Sequence, residues 1–409
     1  MITVDEALER VAQAARKAGP LEAEPIGLAQ VRGRVLRERI VADRDLPPFT
    51  RSAMDGFALR SSDTRGAPVE LEVIEEIPAG RSPLKPVGPG QASRIMTGAM
   101  IPAGADAVQM VEKTGPAGAR VRILEAVSAG EHVRRAGEDL RAGSVLLEPG
   151  TLLGAAGVAL LASCGRTTVS VARRPRVAIL PTGDELVPPD AQPGPSQIRE
   201  SNGQALAALV DEAGAVGRQL PIVADRLDAL REAVSTALRE DDVVLVSGGV
   251  SMGAYDLVPE ALQHAGCQVM FSRVAIQPGK PLVFGTAGAE GRTLVFGLPG
   301  NPVSTMVDFL VFARPALRLL MGAARWRNRH VTARLGSPLT RRAGRQAWLP
   351  ATLRHEEGGL VADLVPSMGS ADLVALSRAD ALVILPATSQ EVPAGLSVQA
   401  LLLRDVAPS

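Results

Sequence analysis

Four apolar residues stand in an unbroken row, Val243-Val244-Leu245-Val246, and Ser247-Gly248-Gly249 follows at once. No other stretch restricts the chain's architecture as tightly. The row has no polar–apolar alternation, so both of its faces must be covered. That is the condition of a strand inside a parallel sheet flanked by helices. The glycines then turn the backbone sharply and can offer successive N–H groups to an anion. Farther on, Asp256 is suited to cap a helix, and Pro259 fits its first turn, where a missing N–H is no loss. Strand, glycine turn and helix start together predict a ligand crevice at the carboxyl edge of an α/β sheet.

The neighbouring sequence repeats this grammar. Val177-Ala178-Ile179-Leu180 is a second apolar strand, ending in Pro181-Thr182-Gly183-Asp184-Glu185. Ser201-Asn202 opens a helix to about residue 213, residues 219–223 read as a strand, and Asp225 opens a helix over 227–238. Residues 268–274 and 294–296 complete the strands. Pro299-Gly300-Asn301-Pro302 begins a last long helix, with Asn301 at the cap and Pro302 in its first turn. Alternating strands and helices over about 150 residues predict a doubly wound α/β domain.

The flanks differ. Thr3-Val4-Asp5-Glu6 has the form of a capping box, and apolar residues follow at helical spacing until Gly19-Pro20. Short β segments punctuated by Gly and Pro fill 69–145, and further β runs fill the chain beyond Arg325, where a small barrel or sandwich is expected. Lys+Arg and Asp+Glu both number 44, which argues against a nucleic-acid-binding domain spread along the whole chain. No apolar run approaches the roughly 20 residues of a membrane span, and the first residues have no signal-peptide core. Two cysteines, Cys164 and Cys267, give no disulfide framework. A cytoplasmic protein is expected, with neither nucleic acid nor membrane as partner.

Several residue types converge on the sheet's carboxyl edge. Asp225 and Asp256 each read singly as helix caps, whereas Glu185 lies in a loop where no cap explains it. Three acids at one edge repel unless a cation lies between them, and Mg²⁺ is the hard cation suited to carboxylates and phosphate oxygens. Ser247 and Ser251 add hydroxyls to the glycine turn, Lys280 in Gln277-Pro278-Gly279-Lys280-Pro281 supplies a point charge, and Gly300 lies at a helix start. Asp55 and Thr97 lie in turns of the β-rich segment, where Asp55-Gly56 is an ordinary hairpin signal. Gly249-Val250-Ser251-Met252-Gly253 also fits the G-x-S-x-G elbow of serine hydrolases. That chemistry needs a histidine on a later sheet loop. His264 falls on a helix, and His330 and His355 fall in or beside β segments, so the anion cradle is the favoured reading.

Seven segments in order carry a family resemblance. They are SAMDGFA from Ser52, MTGAMIPAGADAVQMVE from Met96, RRAGEDL from Arg134, PTGDEL from Pro181, SGGVSMGAYD from Ser247, QPGKPLVFG from Gln277 and GLPGNPVS from Gly297. The chain resembles the molybdopterin molybdenumtransferase family, the MoeA-like proteins related to the enzyme domain of gephyrin. The resemblance implies Mg²⁺-dependent insertion of molybdate into adenylylated molybdopterin with release of AMP. It implies four parts: an elongated N-terminal domain (1–44 with 142–172), an inserted β-rich domain (45–141), a MogA-like α/β domain (173–324) and a C-terminal β-barrel (325–409). It further implies a homodimer whose active site is shared between subunits, and contact with the molybdopterin adenylyltransferase and with molybdoenzyme maturation proteins. By the same resemblance Asp55, Thr97, Glu185, Asp225 and Asp256 are catalytic, and Glu185, Asp225 and Asp256 hold the metal. Ser247, Gly248, Gly249, Ser251, Gly253, Lys280, Pro299, Gly300 and Pro302 line the substrate and phosphate site. Phe57, Thr50 and Glu200 depart mildly from the pattern. A molybdopterin adenylyltransferase shares only the α/β part, and a gephyrin-like scaffold is the reading from a different class.

Overall fold

The computed structural model describes residues 1–250 and 257–404. The chain divides into two units. Met1–Glu38, Pro149–Ala155 and Thr168–Ser409 form one, and Arg39–Glu148 with Ala156–Thr167 form the other.

The first unit is built on a six-stranded sheet. Its spatial order is Val216–Gln219, Arg176–Pro181, Val243–Ser247, Thr293–Leu298, Val283–Ala287 and Gln268–Phe271. The strand foreseen at 243 is central, and every residue of it is buried. Alternate residues feed opposite faces, as the pleat requires. Val177, Ile179, Val243, Leu245, Leu294 and Phe296 pack under the helices Val4–Ala18 and Asn202–Glu212 and the helical run that starts at Pro302. Ala178, Leu180, Val244, Val246 and Val295 pack under Leu227–Glu240 and Val258–His264. Each large side chain so buried contributes about 1.5–3 kcal/mol, so the unbroken apolar rows hold two layers of helix on one sheet. Tilted ring pairs Phe271–Phe284 and Phe284–Phe296, at 5.4 and 4.9 Å, fill the layer near the far edge.

Three expectations shift. The sheet is not wholly parallel: Val283–Ala287 pairs antiparallel with both of its neighbours. That strand is absent from the sequence reading because Gln277–Pro281 marks the region as turn. The edge strand is Val216–Gln219 rather than 219–223. It pairs in parallel with residues 176–179, and its residues are mostly exposed, so it has no apolar signature. The last helix is interrupted, with Phe309–Ala313 forming a π-turn between Pro302–Asp308 and Arg314–Leu320. The N-terminal helix meets its forecast: Thr3 accepts the Glu6 N–H at 3.2 Å, and the helix ends before Gly19 at φ +74°.

A closed five-stranded barrel follows. The strands His330–Leu335, Gln346–Glu356, Gly359–Leu364, Ala381–Leu385 and Ser397–Leu402 pair in a ring, closed where 347–351 meets 381–385. Its interior includes Ala333, Ala347, Ala351, Ala362, Ala381 and Ala400. Leu335, Leu353, Val383, Leu385 and Val398 fill the rest, so small and large side chains together pack a narrow barrel.

The second unit carries a curled sheet in the order Ala107–Met110, Gly56–Leu59, Gln91–Ile95, Val69–Ile77, Arg120–Ile123 and Thr114–Ala117. Both cysteines of the chain are buried and free.

Candidate functional site

The carboxyl ends of the central strands open into a cleft of about 520 Å³. Its wall includes Thr182, Glu185, Asn202, Ser247, Gly249 and the Pro299–Gly300–Asn301–Pro302 turn. Parallel pairing sets this convergence, because residue 181 lies beside Ser247, and Ser247 lies beside Leu298. Three chain segments therefore leave the sheet at one level and turn at one place.

Hydrogen bonds knit the turns together. The Thr182 N–H donates to the Ser247 carbonyl at 2.9 Å, and the Gly248 N–H donates to the Leu298 carbonyl at 3.1 Å. The Asn202 amide donates to Ser247 Oγ at 2.9 Å and to the Gly300 carbonyl at 2.8 Å, joining a helix start to two loops. Thr305 donates its hydroxyl to the Pro299 carbonyl, and Asn301 Nδ2 donates to Ser370 Oγ at 2.8 Å. Gly248 has φ +109°, and a Cβ there would lie 2.3 Å from the Thr182 carbonyl oxygen, so only glycine fits.

The structure arranges the foreseen residues as follows. Ser247 is buried and engaged by Asn202 rather than facing solvent. Gly249, Pro299, Gly300 and Pro302 line the cleft, whereas the Gly248 N–H is already committed to Leu298. Glu185 lines the wall directly. Asp225 does not act as a cap: Arg226 holds that position, without a side-chain cap bond. Instead Asp225 Oδ1 lies 2.7 Å from the Thr182 hydroxyl, whose one proton it shares with the Val223 carbonyl at 2.9 Å. The Asp225 N–H in turn donates to Asp184 Oδ1 at 3.1 Å. Glu185 and Asp225 thus both belong to the loops gathered around Thr182. Lys280 is exposed, and its neighbour Pro281 lines the cleft. Ser251, Gly253 and Asp256 lie outside the described residues. Thr182 and Asn202 line the cleft too, although the sequence alone gives them no role in a site. Their signal was present, as two small polar residues beside strand ends, but it matched that of ordinary caps.

In the second unit Asp55 accepts two hydrogen bonds on Oδ1, from the Thr97 N–H at 2.6 Å and the Thr97 hydroxyl at 2.8 Å. The backbone N–H, with the hydroxyl second, holds the Asp55 carboxyl below the usual carboxylate range. The hairpin expected at Asp55-Gly56 does not form. The short strand before it, Arg51–Ser52, pairs with Val133–Arg134, and Gly56–Leu59 pairs with residues 92–95 and 107–110. Gly56 is required for another reason, since a Cβ there would lie 1.9 Å from the Gln109 carbonyl oxygen.

Among the described residues no group of three His, Cys, Asp or Glu side chains forms a metal site by itself. Mg²⁺ does not demand one, because it is held through one or two carboxylates together with waters and substrate phosphates. Glu185, in the cleft wall, and Asp225, beside Thr182, are oxygen donors of the type that Mg²⁺ accepts.

The comparisons with known proteins cover nearly the whole chain. Residues 2–165 match the family described as "MoeA N-terminal region (domain I and II)", residues 178–319 match "Probable molybdopterin binding domain", and residues 332–403 match "MoeA C-terminal region (domain IV)". The molybdopterin molybdenumtransferase of Nostoc sp. is 39% identical over 395 residues, 93% of this chain and 89% of that protein. The molybdopterin molybdenumtransferase of Bacillus subtilis is 36% identical over 412 residues, 99% of this chain and 94% of that one. The crystal structure of the molybdopterin biosynthesis moeA protein from Pyrococcus horikoshii OT3 superposes with a TM-score of 0.82 at 31% identity, covering 98% of this chain and all of that chain.

Proposed function

The chain belongs to the molybdopterin molybdenumtransferase family, transferases of molybdenum cofactor biosynthesis, and from that premise we propose that it inserts molybdate into adenylylated molybdopterin and releases AMP. The observation that carries this reading is the cleft at the sheet's carboxyl edge, where a glycine turn, a helix start and acid-bearing loops meet.

Breaking the bond between AMP and the pterin phosphate calls for positioning and charge neutralisation more than for a protein nucleophile. The cleft's residues suit that task. The backbone around Ser247–Gly249 and the Pro299–Pro302 turn give a close-fitting, neutral wall for the phosphates. Lys280 offers positive charge at its rim. Glu185 and Asp225, with Asp256, would hold Mg²⁺, which would supply the positive charge that the phosphates call for. Thr182 fixes Asp225 by its hydroxyl and the central turn by its backbone. Asp55 is kept ionised by Thr97 and acts in a site completed by a second copy of the chain. The protein works in the cytoplasm as a homodimer.

The test is AMP release from adenylylated molybdopterin, with and without molybdate and Mg²⁺. Release that requires both supports the assignment. Adenylyl transfer from ATP to molybdopterin, with no molybdate-dependent release, would move the chain to the adenylyltransferase class.

A further inference from the structure

Pro302–Asp308 is an apolar helical segment that ends on one acid. Asp308 is fully buried, and neither carboxyl oxygen has a hydrogen-bond partner. It does not cap the helix, because Phe309–Ala313 carries the helical backbone onward. An orphaned buried carboxyl requires a physical account.

The side chain's place supplies one. A Cβ built on Gly279 would lie 2.2 Å from Asp308 Oδ1 and 2.7 Å from its Cγ. The carboxyl therefore occupies the space that any side chain at 279 would need, and Gly279 sits at φ +106°, where glycine is at ease. Gly279 is the residue before Lys280. The turn's other fastenings converge on the same point, since the N–H groups of Val274 and Leu282 both donate to the Lys280 carbonyl, at 3.1 and 3.2 Å. The helix bearing Asp308 begins at Pro302, in the cleft wall, and the turn it touches runs into Pro281, in the same wall. One buried carboxyl thus packs between two segments that lead to the cleft.

We propose that Asp308 is a positioning residue whose side-chain shape fills the concavity over Gly279 and thereby fixes where Lys280 presents its charge. Burial pushes the Asp308 carboxyl well above the usual carboxylate range, which agrees with a neutral group. A protonated carboxyl without a partner costs far less to bury than a carboxylate without a donor. No other titratable side chain lies on the helix Pro302–Asp308 or on the π-turn, and on the turn packed against it Lys280 is the one titratable residue, with an exposed side chain. That Lys280 meets an anionic substrate rests on the function proposed above; that Asp308 sets its position does not.

The chain has four lysines, Lys17, Lys85, Lys113 and Lys280. Reductive ¹³C-methylation therefore gives few resonances, and Lys280→Arg assigns the relevant one. Asp308→Asn preserves the shape and should leave the Lys280 resonance where it is. Asp308→Ala, which empties the concavity, and Asp308→Leu, which remains apolar but reshapes it, should both displace that resonance while leaving those of Lys17 and Lys85 unmoved. With adenylylated molybdopterin as substrate, Asp308→Leu should raise KM by about tenfold with kcat nearly unchanged, and Asp308→Asn should restore KM. Lys280 resonances that coincide in all four proteins would overturn the proposal, as would an Asp308→Asn protein displaced as far as the leucine variant. If the wild-type protein releases no AMP, the function proposed above fails, and the resonance comparison still decides the role of Asp308.

Discussion

Replacing Gly248 with alanine perturbs the cleft at its tightest point. The added Cβ would stand 2.3 Å from the Thr182 carbonyl oxygen, a backbone atom on a strand end that cannot rotate away. A non-glycine residue at φ +109° is strained by about 1–3 kcal/mol. Forcing a methyl group into packed surroundings adds about 1–3 kcal/mol. The combined loss is roughly 2–6 kcal/mol, a large part of a marginal stability. Two neighbours serve as internal standards. At Gly249 the φ is +60° and the obstacle is a methyl of Val258 at 2.9 Å, a side-chain atom rather than backbone, so Gly249→Ala should cost about 1–2 kcal/mol. At Gly300 the nearest atom to an added Cβ is the Gly248 Cα at 3.9 Å, so Gly300→Ala should stay within about 0.5 kcal/mol. Urea unfolding followed by circular dichroism should rank the midpoints wild type, Gly300→Ala, Gly249→Ala, Gly248→Ala, in falling order. A Gly248→Ala protein that unfolds with Gly300→Ala would refute the claim that the central turn is pinned by backbone contact.

Other perturbations read other parts of the account. Thr97→Val keeps the backbone N–H on Asp55 and removes the hydroxyl, so the Asp55 pKa rises part of the way and the acid limb of AMP release moves to higher pH; Thr97→Ser should return it. Because Asp308 keeps its proton in the folded state above the pH at which the unfolded chain loses it, stability falls as pH climbs from the ordinary carboxyl range toward the folded pKa, by up to about 1.4 kcal/mol per pH unit. Asp308→Asn lacks that slope, so its melting temperature should gain on the wild type as pH rises, and parallel curves would contradict the buried neutral acid. Thr182→Val removes the hydroxyl beside Asp225 and should cost about 1 kcal/mol in unfolding free energy together with a loss of AMP release. Mixing inactive Asp55→Ala and Asp256→Ala proteins should recover part of the activity if two copies share a site, and no recovery from demonstrated mixed dimers would count against sharing.

Much of the architecture was legible where physics leaves a local trace. Val243–Ser247 announced itself because a strand covered on both faces can be apolar throughout, and the glycines after it mark a turn that only they can make. The parallel strand at 176–181 and the alanine-rich barrel strands carry similarly local signals. The antiparallel strand Val283–Ala287 did not, since its first residues follow a proline–glycine turn and its pairing partners come from both sides of it in sequence. Asp225 looked like a cap because an acid before a helix usually is one; the Thr182 hydroxyl that engages it comes from 43 residues away. Asp308 shows the same limit. A single acid in the row Val303-Ser304-Thr305-Met306-Val307-Asp308-Phe309 is visible in the sequence, but what it touches is a glycine that tertiary packing alone brings to it.

Glu185 gives the most direct test of the cleft as the place of reaction, because it lines the wall and leaves the central hydrogen bonds to other residues. Single-turnover AMP release by Glu185→Gln, at saturating adenylylated molybdopterin with molybdate and Mg²⁺, should fall at least about a hundredfold, with substrate affinity changed only a few-fold. A rate within twofold of the wild type would contradict the assignment of the chemistry to this cleft.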